Sequence, residues 1–240
     1  MGDNTLVLGH RISEWCGTGP ALEEDIALAN TALDLIGQAT LWLSLAGEVE
    51  DIGRDADALA FRRDVYDFRN LLLVEQPNGD FGCTIMRQFL FDAWHKPCLA
   101  ALCRSKDTQV AAIAEKSLKE VSYHLERSAD LVIGLGDGTE ESHNRMQSAL
   151  DRLWPYVGEM FTRDTTDEHL IARSVTPDPA DMRAAFDRQL DTILASATLT
   201  RPNSEFAQMG GRTGVRHSEH LGHMLAQMQW LQRAYPGASW

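Results

Sequence analysis

Val110, Ala114, Leu118, Val121, Leu125 and Val132 are spaced by three, four or seven residues, the period of one side of an α-helix. The spacing predicts a long helix over 108–135 with that side in a core. Val121 sits near the middle of the stripe, and His124 follows one turn later on its edge. Glu120, the nearest carboxylate, is rotated about 100° around the helix from Val121. Nowhere does apolar and polar character alternate for long enough to make a sheet, so the chain reads as all-α.

The same reading extends to the rest of the chain. Gly17-Thr18-Gly19-Pro20 opens a helix that is expected to run to Ala46 and stop at Gly47. It is apolar on two faces. Leu22, Ile26, Ala29, Leu33 and Ile36 form one, and Leu28, Ala32, Leu35, Ala39 and Trp42 form the other. Asn30, Asp34 and Gln38 make a polar seam between them. A second helix is expected from a cap at Asp57 to Val74, because Ala58, Phe61, Val65, Phe68 and Leu72 step along it as a core stripe. A third spans 80–102, with Pro97 bending it and Asp92 inside its apolar stripe. A buried carboxylate needs a partner, and His95 lies one turn away. Thr139 caps a fifth helix that is interrupted at Trp154-Pro155 and fades by Phe161. Residues 162–176 read as irregular. Further helices cover 178–196 and 218–235, separated by a loop holding Gly210-Gly211-Arg212-Thr213-Gly214.

A chain of 240 residues fits one large domain, 1–240. Its net charge of −13 argues against non-specific binding to nucleic acid or membrane. Charged residues make up 24%, and no apolar run reaches the roughly 20 residues that cross a bilayer. The start, Met1-Gly2-Asp3-Asn4, lacks the basic region of a signal peptide. Cys16, Cys83, Cys98 and Cys103 have neither CxxC nor zinc-ligand spacing and read as reduced thiols. A cytoplasmic protein is the simplest expectation.

Three patterns resemble chemical motifs. Glu140 and His143 form a literal Glu-x-x-His, but at a helix start and without a second copy, so they read as an exposed cap. His217, His220 and His223 turn about 60° per step on a helix and do not converge easily on one ion. They read as hydrogen-bonding groups at a helix end or interface. The 210–216 loop lacks the Gly-Lys-Ser/Thr ending of a phosphate loop.

Several blocks, taken together, are distinctive. Leu22-Glu-Glu-Asp-Ile-Ala-Leu-Ala-Asn, Asn70-Leu-Leu-Leu-Val-Glu-Gln-Pro-Asn-Gly-Asp80 and Gln88-Phe-Leu-Phe-Asp-Ala-Trp-His95 are three of them. Leu135-Gly-Asp-Gly-Thr-Glu-Glu-Ser-His143, His217-Ser-Glu-His-Leu-Gly-His223 and Gln232-Arg-Ala-Tyr-Pro-Gly-Ala-Ser-Trp240 are the others. With these the whole chain resembles the C-subunit family of ring 1,2-phenylacetyl-CoA epoxidases. The resemblance implies a ferritin-like helical bundle with additional C-terminal helices. It implies a subunit of a multicomponent monooxygenase in aerobic phenylacetate degradation. In that family the A subunit holds the di-iron centre and the C subunit is a related, non-catalytic partner. B, D and E subunits complete the system, with flavin and iron–sulfur groups in the E reductase.

Against the A-subunit pattern, the resemblance places the six ligand positions at Asp34, Val65, Phe68, Asp92, Val121 and His124. Two Glu-x-x-His pairs would then have become Val65/Phe68 and Val121/His124. A di-iron site of this kind takes about four carboxylates and two histidines, so three surviving polar groups imply no metal, no cofactor and no catalytic residue in this chain. The expected function is a structural subunit that docks on and stabilises the A subunit, in contact with the B subunit, as a hetero-oligomer. Two other readings stand beside it. One is a di-iron or mononuclear metal oxygenase subunit using Asp34, Asp92 and His124. The other is a metal- or CoA-binding regulatory module using the histidine array or the 210–216 loop.

Overall fold

The computed structural model describes residues 1–238, which are all-α: no strand occurs among them. They fall into two compact units, one of Met1–Pro77 with the C-terminal stretch from Met209, the other of Asn78–Gln208.

The first unit is built on α1 (Gly2–Ser13) and α2 (Leu22–Glu50), packed antiparallel. Gly2 lies against Leu43 and Gly9 against Ile36 and Leu35, so α1 sits close on α2. α1 is absent from the sequence reading, because Asp3, Asn4 and Thr5 make its start look like surface. In the fold all three are buried. α2 begins close to where its pattern predicts, but it does not stop at Gly47. It continues to Glu50, and Asp51 ends it in the left-handed conformation, φ 54°. Gly47 is instead a contact point, since a Cβ there would collide with the Arg54 carbonyl.

The expected helix over 57–74 is not formed. The chain makes α3 (Ala56–Phe61), capped by Asp55, then a 3-10 turn at Val65–Asp67, then α4 (Leu72–Glu75). Side chains from α1 take the backbone donors that a continuous helix would have used internally. Asp3 Oδ2 accepts the Arg69 N–H at 2.8 Å, and Asn4 Oδ1 accepts the Leu71 N–H at 2.7 Å. The Asp64/Asp67 capping box starts a new turn where helix should continue. Asp3 is further paired with Arg63, whose guanidinium covers the Phe68 ring at 4.3 Å. The stripe therefore splits: Phe68 and Leu72 are buried, while Val65 is half-buried. α10 (Glu219–Met228) and α11 (Trp230–Ala234) return to this unit, burying Leu221, Met224 and Leu225.

The second unit centres on α5 (Phe81–Leu102) and α6 (Thr108–Gly136), a tightly connected pair. Asp80 caps α5 by accepting Cys83 N at 2.8 Å, and Asp107 caps α6. Ala114, Val121, Leu125 and Val132 of the predicted stripe are buried. α7 (Glu140–Leu153) starts on the Thr139 cap and gives way to 3-10 turns at Trp154–Tyr156 and Gly158–Phe161. The segment read as irregular contains α8 (Thr165–Ala172), started by an Asp164/Asp167 capping box. α9 (Arg183–Ser196) packs on α5 and α6.

α2 has a window long and apolar enough to cross a membrane, with mean hydropathy 1.2. Much of that apolar content is spent inside the unit, where Leu28, Leu35 and Ala39 are buried. The four cysteines are free thiols.

Candidate metal site and the buried polar networks

Of the six positions singled out above, three lie on the α5–α6 pair. Asp92, Val121 and His124 are all buried there. Helical spacing puts Gln88, Asp92 and His95 along one side of α5, and Ser117, Val121, His124 and Ser128 along one side of α6. Ser128 Oγ donates to Asp92 Oδ2 at 3.0 Å, and Gln88 Nε2 lies 2.8 Å from Asp92 Oδ1. The expected partner for Asp92, a histidine, is not the group that bonds it.

Burial holds the Asp92 carboxyl well above the usual carboxylate range, and the two hydrogen bonds only partly oppose that. The site therefore opposes ionisation of this carboxyl. His95 is pushed down to about 3, chiefly by burial. It is a neutral imidazole packed on Phe91, with ring centroids 4.8 Å apart, and stacked on Trp94. Its ring nitrogens, like Ser117 Oγ, are buried without a hydrogen-bond partner among the described residues. Those nitrogens are chemically able to take a metal, but the set around them does not fit two irons. One carboxyl that resists ionisation and two imidazoles supply neither the charge nor the number of donors. Among the described residues no three His, Cys, Asp or Glu side chains are grouped as a metal would need.

The other three positions belong to the first unit. Asp34 is half-buried on α2, one turn before Gln38, which is buried and is the inward member of the polar seam. Val65 and Phe68 do not share a helix. Val65 lies in the 3-10 turn and Phe68 in extended chain, so the side-by-side geometry of a Glu-x-x-His pair is absent there.

A second network was not anticipated. Glu75, at the end of α4, is fully buried. Its Oε1 meets Asn70 Nδ2 at 2.9 Å and His217 Nδ1 at 2.6 Å. Its Oε2 accepts both the N–H and the hydroxyl of Ser218 at 2.7 Å. His217 Nε2 points at the Phe68 carbonyl, 3.2 Å away. Both ring nitrogens of His217 thus lie within hydrogen-bond distance of an oxygen. The Glu75–His217 contact is closed off from water on both sides. From α1, Arg11 donates to the Glu75 carbonyl at 3.0 Å and to the His220 carbonyl at 3.0 Å. The sequence signal for this cluster was the Asn70–Asp80 block itself, with one acid set in an apolar run.

The histidine array is thereby divided. His217 precedes α10 and is consumed by Glu75, His220 is half-buried, and His223 is exposed. In the 210–216 loop, Gly214 has φ +68° and lies against the Arg69 guanidinium and the Tyr66 carbonyl, so it serves close packing onto the 66–72 segment. His143 Nδ1 meets the Gly136 carbonyl at 2.8 Å, while Glu140 is exposed in the first turn of α7, which gives both a helix-end role.

The sequence matches the family described as Phenylacetic acid catabolic protein over residues 1–240. It is also 48% identical, over 240 residues, to the C subunit of the 1,2-phenylacetyl-CoA epoxidase of Escherichia coli (strain K12). That alignment covers 100% of this chain and 96% of the relative.

Proposed function

The chain belongs to the phenylacetic acid catabolic protein family, and from that premise we propose that it is the non-catalytic C subunit of a phenylacetyl-CoA epoxidase. In this reading it is a single ferritin-like domain that docks on the di-iron A subunit, stabilises it and contacts the B subunit in a cytoplasmic hetero-oligomer. The iron belongs to the A partner, and the flavin and iron–sulfur groups to the reductase.

The observation that carries the reading is the state of Asp92. A carboxylate that ligates iron must ionise, whereas this one is fully buried between Gln88 and Ser128, neutral groups that offer no positive charge, in a setting that opposes its ionisation. Val121, one turn before His124, contributes a methyl surface where a ligand would be needed. The oxygenase reading through Asp34, Asp92 and His124 has no comparable support.

The test is one pair of preparations: this chain alone, and this chain co-expressed with its A partner, both made with ample iron. Iron content and phenylacetyl-CoA-dependent oxygen uptake are expected only in the pair, which should elute as a stable complex. Close to two irons per monomer in the chain alone would overturn the proposal.

A further inference from the structure

The C-terminal third of α2 turns Trp42, Leu43 and Ala46 to one side. The start of α1 lies against them, because a Cβ on Gly2 would sit 2.9 Å from Leu43 Cδ2. Between these residues, Asp3, Leu59 of α3, Arg63 and Arg69, all within the first unit, is a cavity of about 270 Å³. Liquid water takes about 30 Å³ per molecule, so the space suits a ligand of about ten non-hydrogen atoms.

One wall holds a buried donor. Trp42 is 9% exposed, and its indole N–H has no acceptor among the described residues. An indole nitrogen can only donate, and a buried donor left unpaired is costly. The wall therefore calls for an acceptor.

The charges decide its kind. Asp3 is already taken: Arg63 pairs with it, and its Oδ2 accepts the Arg69 N–H at 2.8 Å. Glu50, one turn past Ala46, is held by Arg54. Arg69 is different. Its Nη1 donates to the Tyr66 and Phe68 carbonyls, at 2.6 and 2.9 Å, and its side chain has no carboxylate partner among the described residues. Two guanidinium groups against one carboxylate leave the lining with one positive charge. An acceptor that also answers a guanidinium is an anion. Leu43, Ala46 and Leu59 suit an apolar remainder.

We propose that this cavity binds a small apolar monocarboxylate, its head drawn by Arg69 and the Trp42 N–H and its body against Leu43, Ala46 and Leu59. The proposal is independent of the subunit reading above.

Benzoate is the probe, with benzamide as its uncharged counterpart and acetate as the head alone. The reporter, in the full chain, is the indole N–H resonance that disappears in Trp42→Phe. Benzoate is expected to move it saturably, with a dissociation constant of about 1 mM or below. Benzamide and acetate should bind at least about 10-fold more weakly. Arg69→Gln should weaken benzoate binding by about 10-fold. Ala46→Phe, at an exposed position, should fill the cavity and abolish the shift while the melting temperature barely changes. A Trp42 signal that about 20 mM benzoate does not move would overturn the site and leave the proposed function standing. Equal binding of benzamide, or undiminished binding in Arg69→Gln, would overturn the carboxylate. Equal binding of acetate would overturn the apolar body, and an unchanged shift in Ala46→Phe the location.

Discussion

Asp92 on α5 is bonded across the helix pair by Ser128 on α6, at 3.0 Å, and along its own helix by Gln88, at 2.8 Å. Neither partner is charged, so the pair of bonds orients the carboxyl without ionising it. In its protonated form the acid must itself donate, and Gln88 Oε1, buried without a partner among the described residues, is the acceptor within reach once the amide is turned over.

Asp92→Asn tests this directly. The folded-state value lies above the unfolded one, so the stabilising contribution is fully present below about pH 4 and is lost as pH rises towards the folded value. Over that window the wild type should lose about 1.4 kcal/mol per pH unit from this group. The asparagine form keeps the shape and the hydrogen bonds without the titration. Urea unfolding of both forms from pH 4 to pH 8 should show the variant gaining on the wild type as pH rises. A constant difference across the range would mean that Asp92 is already ionised in the fold.

Val121→Glu probes the same place from α6. It puts a second carboxyl one turn before His124, at a position with no exposure. In the absence of metal this should destabilise the chain by about 3 kcal/mol or more, because an unpaired charge or a protonated acid replaces close-packed methyls. Added cobalt(II) or iron(II) should restore part of the loss, since Glu-x-x-His is the spacing that holds metal in such bundles. A melting curve with and without metal reads this, and equal loss in both sinks the idea.

What the sequence made legible was set by how each segment satisfies its backbone. α5, α6 and α7 use local caps, at Asp80, Asp107 and Thr139, and their apolar period runs to their ends. They could be read directly. The 56–75 segment could not, although its stripe was just as regular. Its backbone donors at Arg69 and Leu71 are taken by Asp3 and Asn4, some 66 residues earlier in the chain. No local pattern carries that information. The candidate site was legible in part for the same reason. Asp92, Val121 and His124 sit on well-patterned helices, whereas Val65 and Phe68 were assigned to a helix that the chain does not make. Glu75 and His217 meet 142 positions apart, and only the oddity of an acid in an apolar run hinted at the first.

Asp3→Ala therefore has a predictable cost. It removes the partner of Arg63 and the acceptor of the Arg69 N–H together, both in nearly buried surroundings. A loss of about 2–4 kcal/mol is expected, with the 62–71 segment freed first. Hydrogen exchange should show that segment losing protection more than α5 or α6. Uniform loss across the chain would mean that Asp3 acts only on global stability.

The Glu75–His217 pair gives the last test. Both side chains are almost fully removed from water, at 0% and 1% exposure, and both remaining faces of the carboxylate are filled by Asn70 and Ser218. Glu75→Ala leaves His217, Asn70 and Ser218 without their shared buried acceptor and opens a cavity, which should destabilise the unit by about 3–5 kcal/mol. Glu75→Gln keeps the volume and one acceptor oxygen, but its amide N–H₂ now confronts either Ser218 or His217, so about 2 kcal/mol is expected. Replacing both members, Glu75→Leu with His217→Phe, removes the charges and the donors at once. If the pair is a charged clasp rather than simple packing, the double variant should lose less than the sum of its two single variants by at least about 1.5 kcal/mol. Chemical unfolding of the four proteins at one pH completes the cycle. Additive losses would show that the Glu75–His217 contact contributes nothing to holding the 209–218 segment on α4.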